Sequence, residues 1–252
     1  MRPIALAIAA WLLGPAHGTW AAEISLIAPG GIKSSLEALV PAFEKKTGHK
    51  VTMTFGSDDG TRDQVAQGAA FDVPIIEPPL DSVIASGRVD ARSATPLASA
   101  VVGIALRAGQ PKPRIATRED LRFLMLRANR IAVPDAANGV AAGQSFAKTL
   151  AMLDLIARVD PKLHLAPSGA AAMSMLAKGQ ADVGVALVSE MIGVPGTEIV
   201  GKLPIEFSPR LRYVAFIASE ARNTDAARAL VAYLSAPAEA GAYRAHGMEP
   251  AH

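Results

Sequence analysis

The chain has 252 residues, no cysteine and a formal net charge of +2, with acidic and basic residues interspersed along its length. That balance excludes the concentrated basic field that binds nucleic acid. The missing cysteines exclude disulfides, thiolate metal sites, a cysteine nucleophile and a lipidated N-terminal cysteine, so stability must come from the core.

Met1-Arg2 is a short basic segment, Ile4 to Leu13 is apolar, and Thr19-Trp20-Ala21 has the small-x-small form of a signal cleavage site. Cleavage is expected after Ala21, giving an exported, periplasmic protein. The apolar run is too short to span a bilayer, and no other stretch approaches the roughly 20 apolar residues a spanning helix needs. The mature chain is long enough for one large domain or two small ones.

Ile24 to Ala28 reads as a strand, Pro29-Gly30-Gly31 as a sharp turn, and the segment from Ser34 as a helix. Ser34 and Glu37 have capping-box spacing, Leu36, Leu39, Val40 and Phe43 share one helical face, and Gly48 fits a C-cap. A helix N-terminus beside bare glycine backbone makes an anion-binding corner, although an ordinary βα turn has the same sequence. Lys50 to Phe55 alternates as a half-covered strand. The run Gly56-Ser57-Asp58-Asp59-Gly60-Thr61 then turns into a helix, with Thr61 and Gln64 at cap spacing and Gly68 closing it. Phe71 to Ile76 is a strand ending at Glu77-Pro78-Pro79, and Leu80, Val83 and Ile84 mark a short helix.

Ser99 to Leu106 is one apolar strand run. Thr117 caps a helix carrying Leu121, Leu124 and Met125. Arg130 to Val133 is a strand, and small residues around Asn138-Gly139 and Ala141-Ala142-Gly143 lead into a long helix with Phe146 and Leu150. Leu163 to Leu165 is a short strand, and Ser168-Gly169 opens a helix ended by Gly179. Asp182 to Val188 is an apolar strand followed by Ser189-Glu190. Glu198 to Val200 and Leu211 to Ala218 are further strands, and two helices finish the chain. This repeated β-turn-α order predicts a parallel-rich α/β protein. It suggests two doubly wound lobes, 22–101 with 211–252 and 102–210, that share crossover strands near Val101 and Tyr213.

The chain resembles the type II periplasmic solute-binding proteins, and more narrowly the periplasmic molybdate-binding family of ABC importers. The resemblance covers essentially the whole mature chain. It rests on the order of EKKTG, FGSDDGTRDQV, FDVPII, RIAVPD, AAGQSFAKTL, DVGVALVSE and YLSAPAEAGAYRAHGM. It implies two α/β lobes joined by a hinge, here the crossover strands near Val101 and Tyr213, with a ligand held in the cleft by helix N-termini and short polar side chains, and an inner-membrane ABC permease as partner. The residues depart from the family where ligand is held. Gly31 and Asp58 stand at its two serines and Leu187 near its tyrosine, while Ala141-Ala142-Gly143 matches. A carboxylate about 4 Å from an inorganic dianion costs roughly 1 kcal/mol even at the dielectric of water. A small anionic organic acid is therefore expected in preference to molybdate.

The candidate ligand residues, all just after strands, are Gly30, Gly31, Ser57, Asp58, Thr61, Arg62, Asn138, Gly139, Ala142, Gly143, Ser168, Gly169, Ser189 and Glu190. Each single glycine or serine among them also fits a plain turn, and Lys33 and Arg62 also fit exposed surface charge. The histidines lack metal spacing, and no HExxH, GxSxG or GxxxxGK[ST] string occurs. The expectation is a monomeric receptor without cofactor or metal, spanning no membrane and binding no nucleic acid. The alternative is an isomerase of a tricarboxylate such as aconitate, an activity found among periplasmic proteins resembling this family. Asp58 or Glu77 would be its base, with the Gly30-Gly31 backbone and Arg62 holding carboxylates. N-terminal sequencing of the exported protein is expected to begin at Ala22 or Glu23; full-length chain retained in the cytoplasm would contradict the export reading.

Overall fold

The computed structural model describes residues 21–251; of the expected leader, all but Ala21 lies outside them. The chain runs β1 (Glu23–Pro29), α1 (Lys33–Thr47), β2 (Lys50–Gly56), α2 (Asp58–Ala66), β3 (Val73–Ile76), α3 (Asp81–Ala85) and β4 (Thr95–Ala100). It continues through β5 (Val102–Arg107), α4 (Arg118–Arg127), β6 (Ile131–Pro134), α5 (Ala141–Met152), α6 (Ile156–Val159) and β7 (Leu163–Ala166). Then come α7 (Gly169–Ala177), β8 (Val183–Leu187), α8 (Val188–Met191), β9 (Thr197–Lys202), β10 (Leu211–Ala215), α9 (Thr224–Leu234), α10 (Ala240–Ala245) and β11 (Glu249–Pro250).

These strands form two sheets, one in each α/β lobe, in the orders β11-β4-β10-β3-β1-β2 and β7-β6-β8-β5-β9. Parallel pairing joins β1 to β2 and β3 in the first sheet, and β6 to β7 and β8 in the second. The strands next to the lobe crossings run the other way. β10 is antiparallel to β3 and β4, and β5 is antiparallel to β8 and β9. The sheets are therefore mixed rather than uniformly parallel-rich. A strand that enters a lobe straight from its neighbour has no crossover helix to reverse its direction.

The apolar run Ser99 to Leu106 is two strands rather than one. β4 ends at Ala100 in the first sheet, β5 starts at Val102 in the second, and Val101 alone links them. The Val101 carbonyl accepts from the Val188 amide at 2.9 Å, which anchors the link to α8. The return crossing spans residues 203–210, so Tyr213 lies within the first sheet instead of at a crossing.

Two expected helix starts also move. α1 begins at Lys33 after a 3₁₀ turn at Gly30–Ile32 and has no side-chain cap. The Ser34 hydroxyl donates instead to the Ser189 carbonyl at 3.3 Å. α2 begins at Asp58, capped by Ser57, whose hydroxyl accepts from the Gly60 amide at 3.2 Å. Gly48 closes α1 at φ +79° and Thr117 forms a full capping box with Asp120, both as the sequence indicates. No helix among the described residues is long and apolar enough to cross a membrane.

One apolar cluster runs from Leu36 and Phe43 of α1 through β1, β4 and β5 to Phe146 and Leu150 of α5, so the core is continuous across the crossing strand. Phe146 is 2 % exposed within it. Phe146→Ala is expected to lower unfolding stability by about 3–5 kcal/mol through cavity formation, read as a lower urea midpoint with an unchanged slope. A loss below 1 kcal/mol would contradict this packing.

Candidate functional site

The ends of the parallel strands converge on a cleft of about 550 Å³. Its walls come from the β1–α1 and β2–α2 turns of the first lobe and the β7–α7 and β8–α8 turns of the second, with Val140 ahead of α5. Strand ends in open α/β sheets meet where helix N-termini point, which concentrates amide donors at this level.

Gly30 and Gly31 are absent from the glycines with positive φ. The physical need at Gly31 is space: a Cβ there would overlap the hydroxyl oxygen of Tyr213 and Cδ1 of Leu187. The Gly31 carbonyl accepts from the Ser189 hydroxyl at 2.7 Å, a bond between the lobes.

Asp58 opens α2 and is 4 % exposed. Its Oδ2 accepts from the Ala141 amide, the first of α5, at 2.8 Å. Its Oδ1 is buried with no partner among the described residues. Asp59 extends this junction: its amide donates to the Gly139 carbonyl at 3.0 Å and its Oδ2 accepts from Gln144 Nε2 at 2.7 Å. Its Oδ1 pairs with Arg62 Nη1 at 2.6 Å. Arg62 Nη2 in turn donates to the Glu77 carbonyl at 3.1 Å and lies 3.5 Å from its carboxylate.

Glu190 does at α7 what Asp58 does at α5. Its carboxyl accepts from the Leu187 amide at 3.2 Å and sits at the start of α7, where the Gly169 and Ala170 amides favour its charged form. It packs directly on Gly169, where a Cβ would overlap it. Ser168 spends its hydroxyl capping Ala171 at 3.2 Å.

Burial governs the charges. It pushes Asp58 up to about 6 against the pull of the Ala141 amide, and Glu190 up to about 7 against the Leu187 amide, with the Asp58 charge adding to the rise of Glu190. Glu77 also rises to about 7, through burial and then the Asp58 charge, with Arg62 opposing. The phenol of Tyr213 is held well above its ordinary 10.0 by burial and by the nearby Asp58, Glu190 and Glu77 carboxyls.

Of the residues expected at the ligand, Gly30, Gly31, Ser57, Asp58, Ser168, Ser189 and Glu190 line the cleft. Others are placed elsewhere. Thr61 sits under Gly56 with a buried, unpartnered hydroxyl. Arg62 and Glu77 line a separate 250 Å³ pocket with Lys148 and Glu206. Asn138 bonds to Asp135 at 3.0 Å, and Gly139 abuts Asp59. Ala142 is in the core, Gly143 packs against the Pro134 carbonyl because no Cβ would fit there, and Gly169 lies behind Glu190. Lys33 stands on the cleft wall, 5.5 Å from the Phe55 ring centroid and 3.6 Å from the Glu37 carboxylate. Tyr213 is the residue that local sequence did not mark. It is one aromatic in a strand pattern, and its hydroxyl reaches Gly31 only through sheet pairing. No group of His, Asp and Glu suited to a metal ion occurs among the described residues.

A family model described as bacterial extracellular solute-binding protein matches residues 24–249. Among curated proteins, the aconitate isomerase of a Pseudomonas species is 28% identical over 233 residues, covering 90% of this chain and 87% of that protein. The molybdate-binding protein ModA of Azotobacter vinelandii is 27% identical over 252 residues, covering 97% and 96%. Among solved structures, the A. vinelandii periplasmic molybdate-binding protein superposes with a TM-score of 0.75 at 20% identity, covering 89% of this chain and 98% of that chain. The sulfate-binding protein SubI of Mycobacterium tuberculosis H37Rv gives 0.72 at 19% identity, covering 91% and 87%. At such identity the two structures establish the two-lobed fold.

Folding raises Asp58 and Glu190 above their ordinary 3.8 and 4.5, so the stability they contribute is present below about pH 4 and is lost as pH rises through about 6 and 7. Relative to Asp58→Asn, the unmodified protein should lose about 3 kcal/mol between pH 4 and 7.5. Glu190→Gln should show a similar difference. Urea denaturation across that range checks both; wild-type and variant curves that stay parallel would refute the burial argument.

Proposed function

We propose, for a chain that belongs to the bacterial extracellular solute-binding protein family, that the cleft captures a small organic acid with two or three carboxyl groups. The protein works in the periplasm as a monomer and delivers that acid to an inner-membrane ABC permease, with the lobes 22–101 plus 211–252 and 102–210 closing over it. The observation carrying the ligand class is that the N-termini of α5 and α7, two of the helix starts facing the cleft from the second lobe, each already hold a carboxyl group of the chain itself. Asp58 takes the Ala141 amide of α5, and the Glu190 carboxyl packs on Gly169, the first residue of α7.

An inorganic dianion needs those amides and offers no proton in return. It would meet two carboxyl groups in their place. A carboxylic acid fits differently. With Asp58 and Glu190 pushed up to about 6 and 7, a ligand carboxylate draws a proton onto them, and each then donates an O–H to it. Lys33 supplies the positive charge on the same wall.

A second reading, proton-transfer isomerisation, is favoured by the buried free Oδ1 of Asp58 in the same cleft as Glu190. It is supported by the 28% identity to an aconitate isomerase. Ionised Asp58 would remove a proton from the methylene beside a carboxylate of an unsaturated tricarboxylate. The electron pair delocalises over the adjoining double bond. Protonated Glu190 then returns a proton to the far carbon, which shifts the double bond and frees its geometry.

Titration calorimetry with citrate, cis- and trans-aconitate, succinate, sulfate and molybdate separates these outcomes. Binding of a di- or tricarboxylate is expected to tighten by up to about tenfold per pH unit from 8 to 6, with proton uptake visible as buffer-dependent heat. Tight molybdate or sulfate binding would overturn the organic-acid reading. Following aconitate by NMR tests the second. Asp58→Asn should keep most binding and lose turnover by about two orders of magnitude, and absence of turnover in the unmodified protein would remove the isomerase.

A further inference from the structure

We propose that the Tyr213 hydroxyl is a specificity-determining donor to the bound acid, delivered from beneath the cleft floor through the space that Gly31 leaves open. This inference rests on the organic-acid reading of the cleft.

Tyr213 lies in the middle of β10, flanked by β4 and β3, and is fully buried. Its hydroxyl finds no hydrogen-bond partner among the described residues. The other fully buried tyrosine behaves differently: the Tyr243 hydroxyl donates to the Leu234 carbonyl at 3.0 Å. A buried polar atom without a partner costs stability, and tyrosine is retained inside proteins where its hydroxyl has something to bind.

The place it points to is defined by glycine geometry. A Cβ on Gly31 would fall on this hydroxyl oxygen, with the ring Cζ 3.2 Å away. Gly31 needs no left-handed backbone, so the close approach of the hydroxyl is what a side chain at this position would forbid. Gly31 lines the cleft, and so does Leu187, whose Cδ1 abuts the same point. The phenol therefore stands one residue's thickness from ligand, at the head of the turn that leads into α1.

The chemistry suits a donor. Burial and the surrounding Asp58, Glu190 and Glu77 carboxyls keep the phenol protonated. It offers one neutral O–H to a carboxylate or hydroxyl oxygen of the ligand, and it adds no charge to a wall already rich in acids.

The test uses the whole chain with citrate and trans-aconitate as probes, read by calorimetry and thermal unfolding. Tyr213→Phe removes only the hydroxyl. Its unfolding midpoint should equal or exceed that of the unmodified protein, while Kd rises about five- to thirtyfold. Gly31→Ala should lower the midpoint and weaken binding. Adding Tyr213→Phe to it should recover part of the midpoint without recovering affinity, because the overlap with the hydroxyl is relieved, that with Leu187 stays, and the donor is gone. Unchanged affinity in Tyr213→Phe would overturn the inference and leave the organic-acid reading standing. A fall in its midpoint would also overturn it, since the hydroxyl would then have a structural partner. If the unmodified protein binds neither carboxylate, the organic-acid reading falls and takes this inference with it.

Discussion

The carboxyl group of Asp58 on the first amide of α5 is the contact on which the cleft depends. It joins the start of a helix in one lobe to the start of a helix in the other, at 2.8 Å and out of reach of water. A helix N-terminus carries a partial positive charge and unpaired amides, and a buried amide must find an acceptor. Asp58 meets that requirement from within the chain. Asp59 stitches the same junction to Gly139 and Gln144. The Ser189 hydroxyl on the Gly31 carbonyl and the Ser34 hydroxyl on the Ser189 carbonyl tie another part of the cleft wall across the lobes. In this structure the lobes are therefore held together by groups of the protein.

That choice sets the electrostatics of the site. Burying a carboxyl group penalises its charged form, and neighbouring buried carboxyls penalise it again. Asp58, Glu190 and Glu77 all rise toward neutrality as a result, and each is sensitive to the ionisation of Asp58 or to Arg62. Such a group of acids titrates as a coupled set. Groups poised near neutral pH can accept or release a proton as a ligand arrives, a property shared by carboxylate receptors and by enzymes that move protons. The two proposed roles, binding and isomerisation, therefore differ in whether the ligand carries an acidic C–H within reach of Asp58 Oδ1.

The mechanical frame is simple. A single residue, Val101, carries the chain from one sheet to the other, and the apolar cluster continues through the strands on both sides of it. The link is held by packing and by the Val188 amide, so it is short and well anchored. β5 runs antiparallel to β8 and β9 because the chain passes straight into the second lobe there, whereas the return crossing takes residues 203–210.

Local sequence determined much of this. Apolar alternation, the Gly48 and Thr117 caps and the β-turn-α order placed nearly every element, because such signals act over a few residues. The same rule placed the turns after strands at the cleft, and with them Gly30, Gly31, Ser57, Asp58, Ser168, Ser189 and Glu190. Tertiary structure alone decided what those residues do. Gly143, Ala142 and Gly169 have the composition of a ligand turn but face backbone, core or the Glu190 side chain. Arg62 and Glu77 pair with each other away from the cleft. Asp58 on α5 and Tyr213 beside Gly31 are contacts across 83 and about 180 residues of chain. Hydrophobic periodicity and capping carry no information over such separations; sheet pairing and lobe apposition do, because they alone set which distant groups share a buried volume.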